Sequence, residues 1–185
     1  GARTGDGLYV TGTLGDSLAG LRLLTGPAKR SGQRRPPSLK RNHRQFLLNR
    51  HLRPTARVEV GHWLNAAELA TAAIDLSDGL SGDLRHLCEQ SGVGCRLYEE
   101  KLPVDEATRK AAFKFELDPT ACALSGGEDY ELLFTLPQSE HEKLVLNEQI
   151  SVIGYMTEAA EGAKVFTKGG SVHNITAQGW NAFKQ

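Results

Sequence analysis

Residues 72–80 read Ala72-Ala73-Ile74-Asp75-Leu76-Ser77-Asp78-Gly79-Leu80, a small apolar run that ends in an acid, then a Ser-Asp-Gly turn. Leu80, Leu84, Leu87 and Cys88 follow at helical spacing. The stretch therefore predicts a strand that turns directly into a helix. Ser91-Gly92 stops that helix, and Cys95-Arg96-Leu97-Tyr98 predicts the next strand.

The same alternation extends outward. Upstream, Leu8-Tyr9-Val10-Thr11 reads as a strand, and Gly15-Asp16-Ser17 offers N-cap residues before the stripe Leu18, Leu21, Leu24. Arg53-Pro54-Thr55 predicts a helix start, with Val60, Trp63, Leu64 and Ala67 as its apolar face. Downstream, Lys101-Leu102-Pro103 leads into a helix from about Val104-Asp105. Tyr130 to Leu136 reads as a strand, Ser139 to Leu146 as a helix, and Ile150 to Tyr155 as a strand. Ala163–Thr167 and Ser171–Ile175 flank Lys168-Gly169-Gly170 as a hairpin. Several strands are close neighbours. The expected fold is therefore α+β, a layered mixed sheet with packed helices, rather than a purely parallel sheet.

Bulk properties set the limits. The chain has 185 residues, 39% hydrophobic and 24% charged, which suits one domain with a true core. The formal net charge of +0 names no partner. Cys88, Cys95 and Cys122 are odd in number and lack a CxxC pair, which argues against a disulfide framework and fits a reducing, cytoplasmic setting. No apolar run approaches a membrane span, and Gly1-Ala2-Arg3-Thr4-Gly5-Asp6 does not read as a signal peptide. The chain starts without Met and enters a strand almost at once, so a piece of a longer protein is expected. The six histidines show no HExxH spacing.

Two segments could carry chemistry. Asp75 and Asp78 straddle a strand end and a helix start. They could hold Mg²⁺, an oxygen-seeking ion that bridges to phosphate, while Ser77 and the free N–H groups of the helix donate to phosphate oxygens. Equally, Ser77 or Asp78 could be a plain N-cap with Asp75 solvated. In Ser125-Gly126-Gly127-Glu128-Asp129, two glycines let the backbone approach a ligand and the acids could orient it, or the segment is a turn before a strand. Gly12 to Ser17 joins a strand to a helix without a Walker A ending, and reads as a structural turn, with an anion site at the helix start as the alternative.

A third feature is basic. From Ser17 to Val58 there is no acidic residue, and Arg34, Arg35, Lys40 and Arg41 lie close together. A basic loop is expected at about 27–45, broken by Pro36-Pro37, with Phe46-Leu47-Leu48 suggesting a helix in the second half. Aromatic residues are scarce there, so base stacking lacks a platform and a nucleic-acid partner is disfavoured.

Order and spacing say more than any one motif. Gly5-Asp6, Tyr9-Val10-Thr11-Gly12-Thr13-Leu14-Gly15-Asp16-Ser17, His51-Leu52-Arg53-Pro54 with Arg57, Ile74 to Leu80 with Asp83-Leu84, Leu124 to Leu132, and Gly179-Trp180 with Phe183 together resemble thiamine-monophosphate kinases. The resemblance spans nearly the whole chain and is weakest at Pro27 to Lys40. The D-x-S-D-G-L segment alone is shared across a wider ATP-binding group that includes aminoimidazole ribonucleotide synthetase, selenophosphate synthetase and a hydrogenase maturation factor.

The resemblance implies a fold like the C-terminal domain of that group. It implies ATP-dependent phosphorylation of thiamine monophosphate to thiamine diphosphate, with ATP as co-substrate and Mg²⁺ as cofactor. Asp75 and Asp78 match metal-holding positions, and Ser77 matches a nucleotide contact. Glu128 matches a thiamine-phosphate contact with Asp129 beside it, and Trp180 or Phe183 would cover the thiamine rings. No protein general base is nominated, because the attacking phosphate oxygen is already anionic. The resemblance also implies that residues 1–185 form a single C-terminal domain, that an N-terminal ATP-binding domain is absent from the chain, that the intact enzyme is a homodimer, and that this piece alone is inactive. The alternatives are another ATP-using enzyme of the same group, or a non-catalytic nucleic-acid-binding module using the basic segment.

Overall fold

The computed structural model describes residues 1–26, 38–144 and 149–175. Trp180 and Phe183 lie outside the described residues, as does much of the basic loop.

Seven strands form one mixed sheet in the order β2-β4-β1-β5-β3-β6-β7. They are β1 (Gly7–Thr11), β2 (Ala72–Asp75), β3 (Val93–Tyr98), β4 (Leu132–Leu136), β5 (Ile150–Glu158), β6 (Ala163–Phe166) and β7 (Val172–Asn174). Each neighbouring pair is antiparallel except β3 with β6, which is parallel. The helices are α1 (Asp16–Thr25), α2 (Arg41–Leu52), α3 (Val58–Ala66), α4 (Leu80–Ser91), α5 (Glu106–Lys114) and α6 (Pro119–Ser125). The α+β expectation holds.

Alternation along the strands builds the layers. Leu8 and Val10 of β1 point to one face, with Leu133, Ile153, Leu97 and Val165. There they meet Leu80, Leu84, Leu87 and Cys88 of α4 and Leu124 of α6. Tyr9, Phe134 and Leu136 point the other way and are covered by Leu64 of α3, Leu69 and Leu144. A third cluster, Ala19, Leu47, Ala107 and Ala111, ties α1, α2 and α5 together. Each fully buried leucine contributes roughly 1.5–3 kcal/mol relative to exposure. The sheet and α4 therefore form a rigid base for the strand-to-helix turn between them.

Local departures from expectation have local causes. The helix expected from Arg53-Pro54 begins instead at Val58. The loop expected through residue 45 ends earlier, because α2 starts at Arg41 and buries Leu47 against α1. The strand expected from Tyr130 starts at Leu132, since Tyr130 has φ 51 and cannot join a ladder there. Gln138–Leu144 is a 3₁₀ helix, where an α-helix to Leu146 was expected, and residues 145–148 lie outside the described residues. The hairpin over residues 163–175 forms as expected.

Candidate functional site

β2 ends on Asp75, and its pairing with β4 matches Asp75 to Leu132. The pairing continues past the strand ends. Leu76 N–H donates to the Glu131 carbonyl (2.8 Å), Tyr130 N–H to the Leu76 carbonyl (2.9 Å), and Glu128 N–H to the Ser77 carbonyl (2.8 Å). The two candidate segments, 53 residues apart between Asp75 and Glu128, thus run side by side.

The glycines permit this approach. A Cβ on Gly127 would lie 2.6 Å from the Ser77 carbonyl oxygen, and one on Gly79 would lie 3.2 Å from the Ser125 carbonyl carbon. Gly79 also has φ 104, a backbone conformation that L side chains rarely adopt.

On the outer side of this junction stand Asp75, Asp78 and Glu128, all exposed, with Ser77 half-buried between them. The Tyr130 hydroxyl donates to Glu128 Oε2 (2.9 Å). Glu128 raises the Tyr130 phenol above its ordinary range, and the Asp75 and Asp78 charges add to the effect. The four groups therefore sense one another across one acidic face.

Of the plain reading, the N-cap part fails at α4, while Asp75 is exposed at the end of β2 as that reading expects. The cap position is Gly79, and no side chain caps the helix. Instead Asp83 in the first turn accepts the Asp78 N–H (3.1 Å). Burial raises the Asp83 carboxyl above the usual carboxylate range, and the charges of Asp78 and Asp75 push the same way. Asp75 and Asp78 are exposed, and neither carboxylate makes a hydrogen bond or ion pair among the described residues. Among the described residues no group of three or more His, Cys, Asp or Glu could hold a metal ion by itself. Two outward carboxylates fit Mg²⁺ as it is held on substrate phosphates, where one or two protein carboxylates suffice and waters fill the rest.

Behind that face lies a second set of carboxylates, all buried. Asp129 is 1% exposed, and its oxygens accept the N–H groups of Gly15 (2.6 Å) and Ser17 (3.0 Å). It therefore caps α1 from across the chain. Gly15-Asp16-Ser17 was expected to supply this cap, but no side chain of that segment does so. Asp16 turns away to accept from Thr108 (2.5 Å), Thr13 (2.5 Å) and Arg50 Nε (3.1 Å). Desolvation raises the Asp129 carboxyl to about 7, against the pull of its two N–H donors. Desolvation raises Asp16 as well.

Glu131 is fully buried and takes the densest set of donors. Arg57 grips it with both arms, Nε to Oε2 (2.6 Å) and an Nη to Oε1 (2.7 Å). An Arg50 Nη adds 2.8 Å to Oε1, and Thr11 Oγ1 adds 2.5 Å to Oε2. Two cations of the basic stretch are thereby spent inside the protein rather than displayed, which weakens the nucleic-acid reading. Arg50, Glu131 and Thr108 did not stand out as site residues in the sequence, because nothing in their spacing marks contacts made 34 to 92 residues apart.

Glu128 (φ 66) and Tyr130 (φ 51) both adopt left-handed backbone. Each such residue costs on the order of 1–3 kcal/mol and persists only where its surroundings hold it. Asp129 and Glu131, the alternate residues, are the buried anchors that do so.

Comparison with known proteins identifies the family. Residues 3–166 match the family described as AIR synthase related protein, C-terminal domain. The thiamine-monophosphate kinase of Aquifex aeolicus is 38% identical over 186 residues, covering 99% of this chain and 53% of the relative. That of Escherichia coli K12 is 38% identical over 191 residues, covering 99% and 54%. The chain spans about half the length of the curated relatives it matches. Among solved structures, thiamine monophosphate kinase from Aquifex aeolicus superposes with TM-score 0.75 at 36% identity, covering 94% of this chain and 52% of that one. "AaThiL complexed with AMPPCP and TMP" superposes with TM-score 0.77 at 37% identity, covering 99% and 53%. The hydrogenase maturation protein HypE of Escherichia coli shares the fold at 19% identity and TM-score 0.66. By sequence and by structure, this chain belongs to the AIR synthase related protein, C-terminal domain family.

Proposed function

We propose that the chain forms the thiamine-phosphate side of an ATP-dependent kinase that converts thiamine monophosphate to thiamine diphosphate. The observation that carries this reading is the backbone zipper that sets Asp75, Ser77 and Asp78 against Glu128 at one exposed face. The likeness to thiamine-monophosphate kinases over 99% of the chain supports the choice of substrate.

In the reaction a terminal phosphate oxygen of thiamine monophosphate forms a bond to the γ-phosphorus of ATP. The bond from that phosphorus to the β–γ bridging oxygen breaks, and ADP leaves. Both reactants are anions and repel each other. Asp75 and Asp78 would hold Mg²⁺, which when bound neutralises charge on the phosphates. Ser77 and the free N–H groups opening α4 face the nucleotide phosphates. Glu128 contacts the thiamine phosphate, with Asp129 behind it as its fixed support. Trp180 or Phe183, both outside the described residues, would cover the thiamine rings, since a flat ring suits a flat, partly cationic heterocycle. The attacking oxygen needs no base, so positioning and electrostatics supply the rate.

The reading extends to the intact protein. An N-terminal domain outside this chain supplies the remaining metal ligands and most of the ATP site, and that intact enzyme is a cytoplasmic homodimer. Among the described residues no helix is long and apolar enough to cross a membrane.

The test is direct. The intact protein given ATP, Mg²⁺ and thiamine monophosphate should form thiamine diphosphate, and the 185-residue chain alone should form none. Turnover of another phosphate acceptor in place of thiamine monophosphate would move the assignment to another enzyme of the group. Product from the isolated chain would refute the split of the site between two domains.

A further inference from the structure

We propose that Arg57 is a positioning residue of this site: acting through Glu131, it holds the left-handed Glu128–Tyr130 turn that presents the Glu128 carboxylate and the Tyr130 hydroxyl. The inference rests on the reading of Glu128 as a substrate contact, and its structural half stands without it.

The turn leaves α6 at Ser125 and enters β4 at Leu132. Within it Glu128 and Tyr130 have positive φ, a conformation that side-chain-bearing residues seldom keep unless tied down. Three ties are local to the site. They are the N–H bonds of Glu128 and Tyr130 to Ser77 and Leu76, and the hold of Asp129 on Gly15 and Ser17. The fourth is Glu131, the residue that fixes where the turn ends and the ladder begins. Its side chain is 0% exposed, and its carbonyl receives the Leu76 N–H.

Two guanidinium groups meet Glu131, and they are not equivalent. Arg50 is also held by Asp16 and by the Thr13 carbonyl (3.1 Å), so it belongs to the packing of α1 on α2. Arg57 stands at the cap of α3, and Glu131 is the carboxylate it pairs with among the described residues. Its side chain also reaches Gln149 at a long 3.5 Å. The Arg57 fork is planar and two-pronged, so it fixes the orientation of the carboxylate as well as its charge. No contact joins Arg57 to Asp75, Asp78, Glu128 or Tyr130 among the described residues. The route from Arg57 to the exposed face among the described residues runs through Glu131 and the backbone that follows from it.

The experiment compares Arg57→Gln with Arg57→Lys in the intact protein. Two readouts are needed, amide hydrogen exchange and steady-state kinetics. With Arg57→Gln, exchange at the Glu128 and Tyr130 amides should quicken by about tenfold more than at Leu133 and Phe134 in the adjoining strand. The KM for thiamine monophosphate should rise about tenfold while kcat stays within about twofold, as expected when a binding contact is misplaced. Arg57→Lys keeps the charge without the fork and should recover part of both effects. It also replaces the neutral variant if that one does not fold.

Uniform quickening of exchange across β4 and the turn would reduce Arg57 to a general stabiliser and overturn the proposal. So would a raised KM with unchanged exchange at Glu128 and Tyr130, since Arg57 would then touch the substrate itself. If the wild-type protein does not use thiamine monophosphate, the functional reading fails, and the exchange data still decide the positioning role.

Discussion

The acids of this protein fall into two sets that lie back to back. Asp75, Asp78 and Glu128 stand exposed on one side of the β2–β4 junction, while Asp129, Glu131 and Asp16 lie buried on the other. Glu128 and Asp129 are consecutive in the chain, yet they belong to opposite sets. Among the described residues no cation pairs with the exposed set, and its like charges repel one another. The buried set is saturated with donors: two N–H groups on Asp129, and two guanidiniums and a threonine on Glu131. Under the proposed function the exposed acids meet a ligand, while the acids saturated by protein donors belong to the frame.

The sharpest way to break this division is to remove one member of each set. Glu131→Ala would leave Arg57 and Arg50 facing an apolar gap and should cost about 3 kcal/mol or more, read as the shift in urea midpoint. Asp78→Asn should do the reverse. Stability should stay level or rise slightly, because the variant relieves repulsion with Asp83. Turnover in the intact enzyme should fall about a hundredfold or more. If Asp78→Asn destabilised the fold as Glu131→Ala does, the two sets would be one structural network and the division would be lost.

A smaller effect separates the sets by pH. The Asp129 carboxyl is raised in the folded state to about 7, from an ordinary value near 3.8, chiefly by desolvation. The native chain then binds more protons than the unfolded one over that interval. Stability from this group is fully present below the unfolded pKa and is lost as pH climbs toward the folded one. Between pH 5 and 7 the loss should be about 2 kcal/mol. Chemical denaturation of the chain at several pH values checks this, with Asp129→Asn as the comparison that should flatten the slope. A slope of opposite sign would mean that the Gly15 and Ser17 N–H donors outweigh burial and hold Asp129 ionised.

The sequence made the exposed set legible, and the buried set largely not. Asp75, Ser77, Asp78 and Glu128 sit in short contiguous motifs with glycines beside them, so their turn chemistry is written locally. The strand-to-helix turns, the stop at Gly92 and the closing hairpin were readable for the same reason. The frame is built across distance. Asp129 caps a helix 112 residues earlier, and Arg57 finds Glu131 across 74 residues. No window of sequence contains both partners, and a carboxylate that caps α1 from β4's approach leaves Gly15-Asp16-Ser17 looking like its own cap. The same distance explains the misjudged strand start at Tyr130, where anchors on either side enforce a left-handed turn that β-prone residues alone do not announce.

One acid lies between the sets and offers the finest test. Asp118 is half-buried and caps α6, with Oδ1 accepting the N–H of Thr120 (2.6 Å) and of Ala121 (3.3 Å). Helix α6 runs straight into Gly126, whose N–H is bonded to the Cys122 carbonyl (2.8 Å), and so into the glycine turn that packs on Gly79. Loss of the cap in Asp118→Ala should cost about 1 kcal/mol in denaturant melts, the ordinary worth of a capping acid. Fraying that starts at the N-terminal end of α6 should reach the Ser125–Gly127 turn only weakly, because α6 is held along its length by Cys122, Ala123 and Leu124 in the core. The KM for thiamine monophosphate should therefore change by less than about threefold. A larger change would show that the exposed face borrows its order from the helix before it as well as from Asp129 and Glu131 behind it, and the frame would have to be redrawn to include α6.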